Sequence, residues 1–216
     1  MTNITNNIAK KVITWKEVKQ YINSGELYML RRSELQNTDY QIHKKKFVNV
    51  DMAQFMLDKL GWKSEELQKL NDIVYNTDEK RINGAFKDKS LFKLAVNDFP
   101  YYFEPDVIHV LIWSKIKLPI YKTDKKTSDV KIGDPNNNFP EFNKPMKKVI
   151  ASFLKHTITD KYCITEENYC WFINYVNLQS IQAVSHIHLI IKLPAKYKGN
   201  HEAFFQELKG GFEPLP

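Results

Sequence analysis

The stretch NLQSIQAVSHIHLIIKLP, residues 177–194, constrains the fold more than any other part of the chain. It places two histidines one residue apart inside an otherwise apolar run. On a strand, residues i and i+2 point to the same face. His186 and His188 therefore share a row with Ile190, while Ile187, Leu189 and Ile191 form an aliphatic face suited to a core. Imidazoles need hydrogen-bond partners or a ligand. The pattern predicts one buried face and one face presented to a small molecule.

Three chemistries use such a pair. A metal site needs further ligands, for which His109 and Glu104 are the candidates, but no tight ligand cluster accompanies them and no metal is assigned. In the second, one imidazole attacks phosphorus while its neighbour orients it or handles a proton. Gln179 and Ser180, just upstream, suit a phosphate oxygen and equally suit an ordinary turn. General acid–base work on another substrate is the third. Spacing alone leaves these open, and none calls for a cofactor.

A second run, AVNDFPYYFEPDVIHVLIWSK, spans residues 95–115. Its latter part is rich in β-branched and aromatic residues and predicts a buried strand carrying His109. The preceding NDFPY reads as an Asx-type turn leading through a proline bend. Read as a binding loop, it offers Asn97 and Asp98 to a ribose or sugar, and Tyr101 and Tyr102 to a base. Lys115, at the strand's end, could then meet a phosphate.

Around these runs the first ninety residues read as mostly helical. Thr14 and Glu17 have capping-box spacing ahead of an apolar face at Trp15, Val18 and Ile22. Further helices are expected in RRSELQNTDYQIHKKKF and VDMAQFMLDKLGW, with one short helix and a loop between Ser64 and Asp88. Residues 123–143 are turn-rich and predict an exposed loop. Beyond it, KPMKKVIASFLKHTI is a helix with Pro145 in its first turn, YCWFINYVN and AVSHIHLIIKL are strands, and NHEAFFQELK is a closing helix. The fold class is α+β: a helical N-terminal half packed on an antiparallel sheet. Residues 1–13 are expected to be a flexible N-terminus. Residues 14–216 are expected to form a single domain, helical over 14–90, with the antiparallel sheet and its helices over 91–210.

The chain carries 32 Lys and Arg against 25 Asp and Glu, a formal charge of +7. This excess suits phosphate-bearing ligands. Arg31, Arg32 and Arg81 are the sole arginines. Base readout and bidentate phosphate clamps favour arginine, so nucleic acid is not the expected partner. Cys163 and Cys170 form no CxxC pattern and are expected to be free thiols. With no long apolar segment and no leader-like start, a cytoplasmic or nucleocytoplasmic protein without a membrane partner is expected. The oligomeric state stays open.

Three segments in order, TWKEVKQYINSGELYMLRRSELQNTDY, NDFPYYFEPDVIHVLIWSK and CWFINYVNLQSIQAVSHIHLII, resemble the fungal N-acetylglucosamine-induced protein 1 family. The resemblance covers about Trp15 to Leu193 and implies a fungal intracellular protein linked to the amino-sugar response. A more distant resemblance is to the histidine-triad nucleotide-binding fold and its galactose-1-phosphate uridylyltransferase relatives. It rests on the strand–helix–strand–strand order and on Asn174, Gln179–Ser180 and His186–Ile187–His188 in sequence. It implies His188 as a nucleophile forming a nucleotidyl–histidine, His186 in support, and Ser180 on the phosphate. The chain departs from that pattern at the third triad position, which is Ile190. It departs also in the longer Ser180 to His186 interval and in the absence of glycines around that turn.

The resulting expectation is a protein that binds or acts on a nucleotide or nucleotide sugar. Nucleotidyl transfer or phosphoanhydride hydrolysis through His188 is the enzymatic form. The alternative is a non-catalytic metabolite sensor or regulatory adaptor of N-acetylglucosamine metabolism.

Overall fold

The computed structural model describes residues 8–46, 51–122, 134 and 139–216. Most of the loop expected at 123–143, and residues 1–7 of the expected flexible terminus, lie outside that set. Residues 8–13 run along the body of the protein. The Ala9 N–H donates to the Arg32 carbonyl and the Ile13 N–H to the Tyr102 carbonyl, each at 2.7 Å.

The capping box forms as its spacing predicts. The Glu17 N–H donates to Thr14 Oγ1 at 3.3 Å, and the Thr14 N–H donates to Glu17 Oε2 at 2.9 Å. Helix α1 (Trp15–Ser24) then ends at Gly25, whose φ of 81° is the left-handed conformation that favours glycine. Helices α2 (Glu34–Lys46) and α3 (Met52–Leu60) follow. The polar stretch 64–88 holds more helix than expected: α4 (Ser64–Lys69), a wider helical turn over Leu70–Val74, and α5 (Asp78–Gly84).

Among the described residues the sheet has four antiparallel strands: β1 (Phe92–Val96), β2 (Val107–Ser114), β3 (Tyr169–Phe172) and β4 (Ser185–Lys192), in spatial order β1-β2-β4-β3. Between β2 and β3 lies α6 (Lys144–Leu154), which runs through a wide turn into α7 (Asp160–Tyr162). Helix α8 (His201–Gly211) closes the described chain, with the Ala203 N–H donating to Asn200 Oδ1. Edge strand β1 is absent from the sequence expectation. It is short and buries Phe92 and Leu94 while Lys93 faces out, so it carries little apolar signal of its own.

Both faces of the sheet are covered. On one, Ile108, Val110 and Ile112 of β2 and Ile187, Leu189 and Ile191 of β4 meet Met146, Ile150 and Phe153 of α6 and Phe204 and Leu208 of α8. On the other lie two separate apolar clusters. Ile190, Val107 and Phe172 pack with Trp15, Val18 and Leu27, and Leu111 and Trp113 pack with Met56, Leu57 and Leu60. The histidine face is therefore not open along its length. Ile190, placed by its row on the ligand side, is fully buried in the first of these clusters. The site is the gap between the two clusters.

Candidate functional site

Strand register brings the histidines together. In the β2–β4 pair Leu111 faces His188 and Trp113 faces His186, so His109, opposite Ile190, lies diagonally beside His188. His109 Nε2 is 2.9 Å from His188 Nδ1. Phe172, opposite His188 on β3, stacks on its ring at 4.6 Å and 4°. His109, His186 and His188 are 3%, 8% and 6% exposed.

Burial sets their charge. Loss of hydration, with the Arg32 guanidinium and His186 nearby, pushes His109 down to about 3. His188 lies well below the ordinary imidazole range, through burial and the neighbouring His109, His186 and Arg32. Burial lowers His186 too, against the hydrogen bond to the Val184 carbonyl, which favours its charged form. At neutral pH the row holds neutral imidazoles.

Neighbouring groups narrow the proton positions. Asn97 Oδ1 accepts the Phe99 N–H at 3.0 Å, so its Nδ2 is the atom beside His109, 3.3 Å from Nδ1 and 3.2 Å from Nε2. It meets both ring nitrogens and selects neither tautomer. Between His109 Nε2 and His188 Nδ1 one nitrogen donates and the other accepts, so the two neutral rings carry their protons either both on Nε2 or both on Nδ1. His188 Nε2 lies 3.1 Å from the Asn174 amide, which also meets the Tyr101 hydroxyl at 3.3 Å. The two ends of a side-chain amide are alike in outline. With its oxygen turned to these two groups Asn174 accepts from both, which fits protons on both Nε2 atoms; with its nitrogen there it donates to His188 Nε2, which fits protons on both Nδ1 atoms. In either orientation its other amide atom is buried without a partner.

His186 is arranged differently. Its Nδ1 donates to the Val184 carbonyl at 3.0 Å, and its ring lies 4.5 Å from that of Trp113. Nε2 keeps its lone pair and makes no hydrogen bond with a described residue. Both ring nitrogens of His188 are engaged, so His186 presents the available imidazole nitrogen of the pair.

His186 and His188 line a cleft of about 830 Å³. Its cationic lining is Arg32, Lys44, Lys59, Lys89, Lys93 and Lys209, and among the described residues Asp98 is its one carboxylate. Among its lining residues, the rings of Tyr40 and His43 lie 5.4 and 4.7 Å from that of Phe99.

Of the residues expected at the site, Asn97, Asp98, Tyr101, Asn174, Gln179 and Ser180 line this cleft with the two histidines. Their tasks differ. Asp98 pairs with Lys59. The Gln179 side chain donates to the Asn174 carbonyl at 2.6 Å, and Ser180 Oγ accepts from the Tyr40 hydroxyl at 3.1 Å. Tyr101 lies against His109 and His188, and burial raises its hydroxyl. Tyr102 is not among the lining residues.

Lys115 is a correction. It lies outside the cleft, 8% exposed, with Nζ on Glu66 Oε1 and 5.5 Å over the Trp62 ring. A buried ammonium requires such a partner, and this one draws it away from the histidines. His109 sits behind the cleft as the partner of His188. Glu104, weighed as a metal ligand with it, instead accepts the Trp15 N–H at 2.9 Å. Among the described residues no three His, Cys, Asp or Glu side chains converge as a metal site.

Sequence reasoning passed over Arg32 and Tyr40, both of which line the cleft. The one available signal was the scarcity of arginine in a lysine-rich chain. No described helix is long and apolar enough to cross a membrane.

A family model described as "Protein of unknown function (DUF3605)" matches residues 14–192. The chain is 32% identical over 204 residues to Uncharacterized protein YPL067C of Saccharomyces cerevisiae, covering 93% of this chain and 91% of that protein. It is 31% identical over 186 residues to N-acetylglucosamine-induced protein 1 of Candida albicans, covering 83% of this chain and 68% of the relative. The crystal structure of HTC1 superposes with a TM-score of 0.69 at 31% sequence identity, over 94% of this chain and 99% of that one.

Proposed function

The chain belongs to the DUF3605 family of proteins of unknown function, and from that premise we propose that its cleft binds a nucleotide or nucleotide sugar. One observation carries the reading: His186, whose Nε2 no described residue engages, lines a cleft together with cationic side chains and the rings of Tyr40, His43 and Phe99. The cations suit phosphate, and the rings suit a base. Similarity to N-acetylglucosamine-induced protein 1 supports a place in the amino-sugar response, and no membrane partner is invoked.

The enzymatic form follows the histidine-triad resemblance with one change. His186, not His188, attacks phosphorus. A bond forms from Nε2 to phosphorus while the bond to the leaving oxygen breaks, and that oxygen departs with the electron pair. The imidazolium left on His186 keeps its Nδ1–H on the Val184 carbonyl. Water or an acceptor hydroxyl then attacks that phosphorus, the bond to Nε2 breaks with its electron pair returning to the ring, and the proton of the attacking oxygen passes to the departed phosphate or to solvent. His188 and His109 act as a neutral, hydrogen-bonded support.

One observation favours a second reading, a non-catalytic sensor. Ile190 stands where a triad would place the group serving the leaving oxygen, and it is sealed in an apolar cluster. Incubation with a panel of nucleotide sugars, followed by phosphorus NMR and thermal shift, separates the two. Turnover lost on changing His186 to Ala supports the enzyme, and ligand stabilisation without turnover supports the sensor. Neither effect with any phosphate-bearing ligand would refute both.

A further inference from the structure

We propose that Arg32 is the anion anchor of the cleft, taking a phosphoryl group of the ligand on the edge formed by its two terminal nitrogens. The proposal rests on the reading of the cleft as a site for phosphate-bearing small molecules, and it names the group that would recognise the phosphate.

Arg32 is held before any ligand arrives. Its Nε donates to the Phe99 carbonyl at 3.0 Å. Its guanidinium carbon lies 4.1 Å over the Tyr40 ring and 5.4 Å over the Tyr101 ring. Its own carbonyl accepts the Ala9 N–H, which fixes the backbone. With Nε tied and the plane set by two rings, the edge carrying Nη1 and Nη2 remains. Neither nitrogen hydrogen-bonds to a described residue, and neither is a buried orphan. That is the half of a guanidinium that matches two phosphoryl oxygens at once.

The other arginines contrast with it. Arg81 bonds Asp78 and the Asn71 carbonyl through its terminal nitrogens, and Arg31 bonds the Tyr28 carbonyl and Met29 Sδ. Several cleft lysines are also engaged. Lys59 pairs with Asp98, Lys89 with Glu213, and Lys93 reaches the Leu60 carbonyl. Arg32 is thus a pre-positioned cation without a carboxylate partner among the described residues.

Asn174 supplies an independent observation. It lines the same cleft, its amide meets the hydroxyl of the Tyr101 ring over which Arg32 lies, and one of its polar atoms is buried without a partner. The Arg32 charge also contributes to holding His109 and His188 neutral. A phosphate on Arg32 would offset that influence, so binding of the anion couples to the histidine row.

Calorimetric titration of wild type, Arg32→Lys and Arg32→Gln with UMP, AMP, their parent nucleosides and inorganic pyrophosphate tests the anchor. Melting without ligand confirms that each variant folds. Tyr40→Ala, which removes the stacking ring but keeps the charge, is the second variant. The expected result is a loss of about ten- to a hundredfold in nucleotide affinity for both Arg32 variants. The expected loss for Tyr40→Ala is smaller, and nucleoside binding should not change in the two Arg32 variants. Pyrophosphate bound through Arg32 while no nucleotide binds more tightly upholds the anchor and removes the nucleotide reading. Nucleotides bound equally by wild type and both Arg32 variants overturn the anchor and leave that reading intact. If no phosphate compound binds, both are overturned.

Discussion

His109 Nε2 and His188 Nδ1 face each other at 2.9 Å across a diagonal of β2 and β4. Two buried neutral imidazoles at that distance must be donor and acceptor, so both carry the proton on Nε2 or both on Nδ1. Nitrogen-15 NMR of histidine-labelled protein at neutral pH should show His109 and His188 in the same tautomer, and His186 protonated on Nδ1. Opposite tautomers for His109 and His188 would put two protons or two lone pairs between the facing nitrogens and sink the relay.

The same burial makes stability depend on acid. The three imidazoles have folded-state values below the ordinary 6.5, with His109 at about 3. A group depressed in this way stays neutral in the fold while the unfolded chain takes up its proton. Stability present above about pH 6.5 is therefore lost as pH falls towards about 3. For a single histidine like His109 the loss from pH 7 to pH 5 is about 2 kcal/mol. Urea unfolding across that range should show stability falling with acid, and His109→Asn should reduce the slope by close to one proton. An unchanged slope in that variant would show that His109 is not the group responsible.

How far the fold could be read ahead of the structure depended on whether a signal was local. Thr14 and Glu17 are three residues apart, so spacing alone revealed their box. The β4 run announced itself through its aliphatic alternation, and the common face of His186 and His188 followed from strand geometry. Edge strand β1 could not be read in this way, because its hydrogen bonds come from β2 and it buries two large side chains. The sealing of Ile190 needed Trp15 and Leu27 from the far end of the chain. Arg32 was passed over for a similar reason: its hydrogen-bond partner, the Phe99 carbonyl, is 67 residues away.

Lys115 shows a local reading failing in the opposite direction. A lysine ending a strand beside a histidine-bearing sheet invites a phosphate, yet its side chain turns to Glu66 under Trp62. Asn71 Nδ2 donates to its carbonyl at 2.7 Å, fixing that corner. Lys115→Met keeps the length and removes the charge. Nucleotide affinity should stay within about twofold of wild type, while unfolding free energy shifts by about 1–3 kcal/mol through the lost pair and altered packing. A tenfold loss of affinity at unchanged stability would return Lys115 to the site.

His186 and His188 occupy one strand face but should respond to substitution in different ways. Changing His188 to Ala removes the ring stacked on Phe172 and leaves His109 Nε2 without its hydrogen-bond partner in a buried place. That should cost about 2–4 kcal/mol in urea unfolding, the sum of a cavity and an orphaned polar atom. His186 is anchored by one bond to the Val184 carbonyl and by its contact with Trp113, while its other nitrogen faces the cleft. His186→Ala should cost about 1–2 kcal/mol and leave ligand-induced stabilisation in place. It should abolish any phosphorus adduct seen by intact-protein mass spectrometry in wild type. His186→Asn, which restores a polar atom without a nucleophilic ring nitrogen, should regain stability but not the adduct. If the adduct forms in His186→Ala and disappears in a folded His188→Ala, the nucleophile is His188, and the hydrogen bonds holding its two nitrogens must open when the ligand binds.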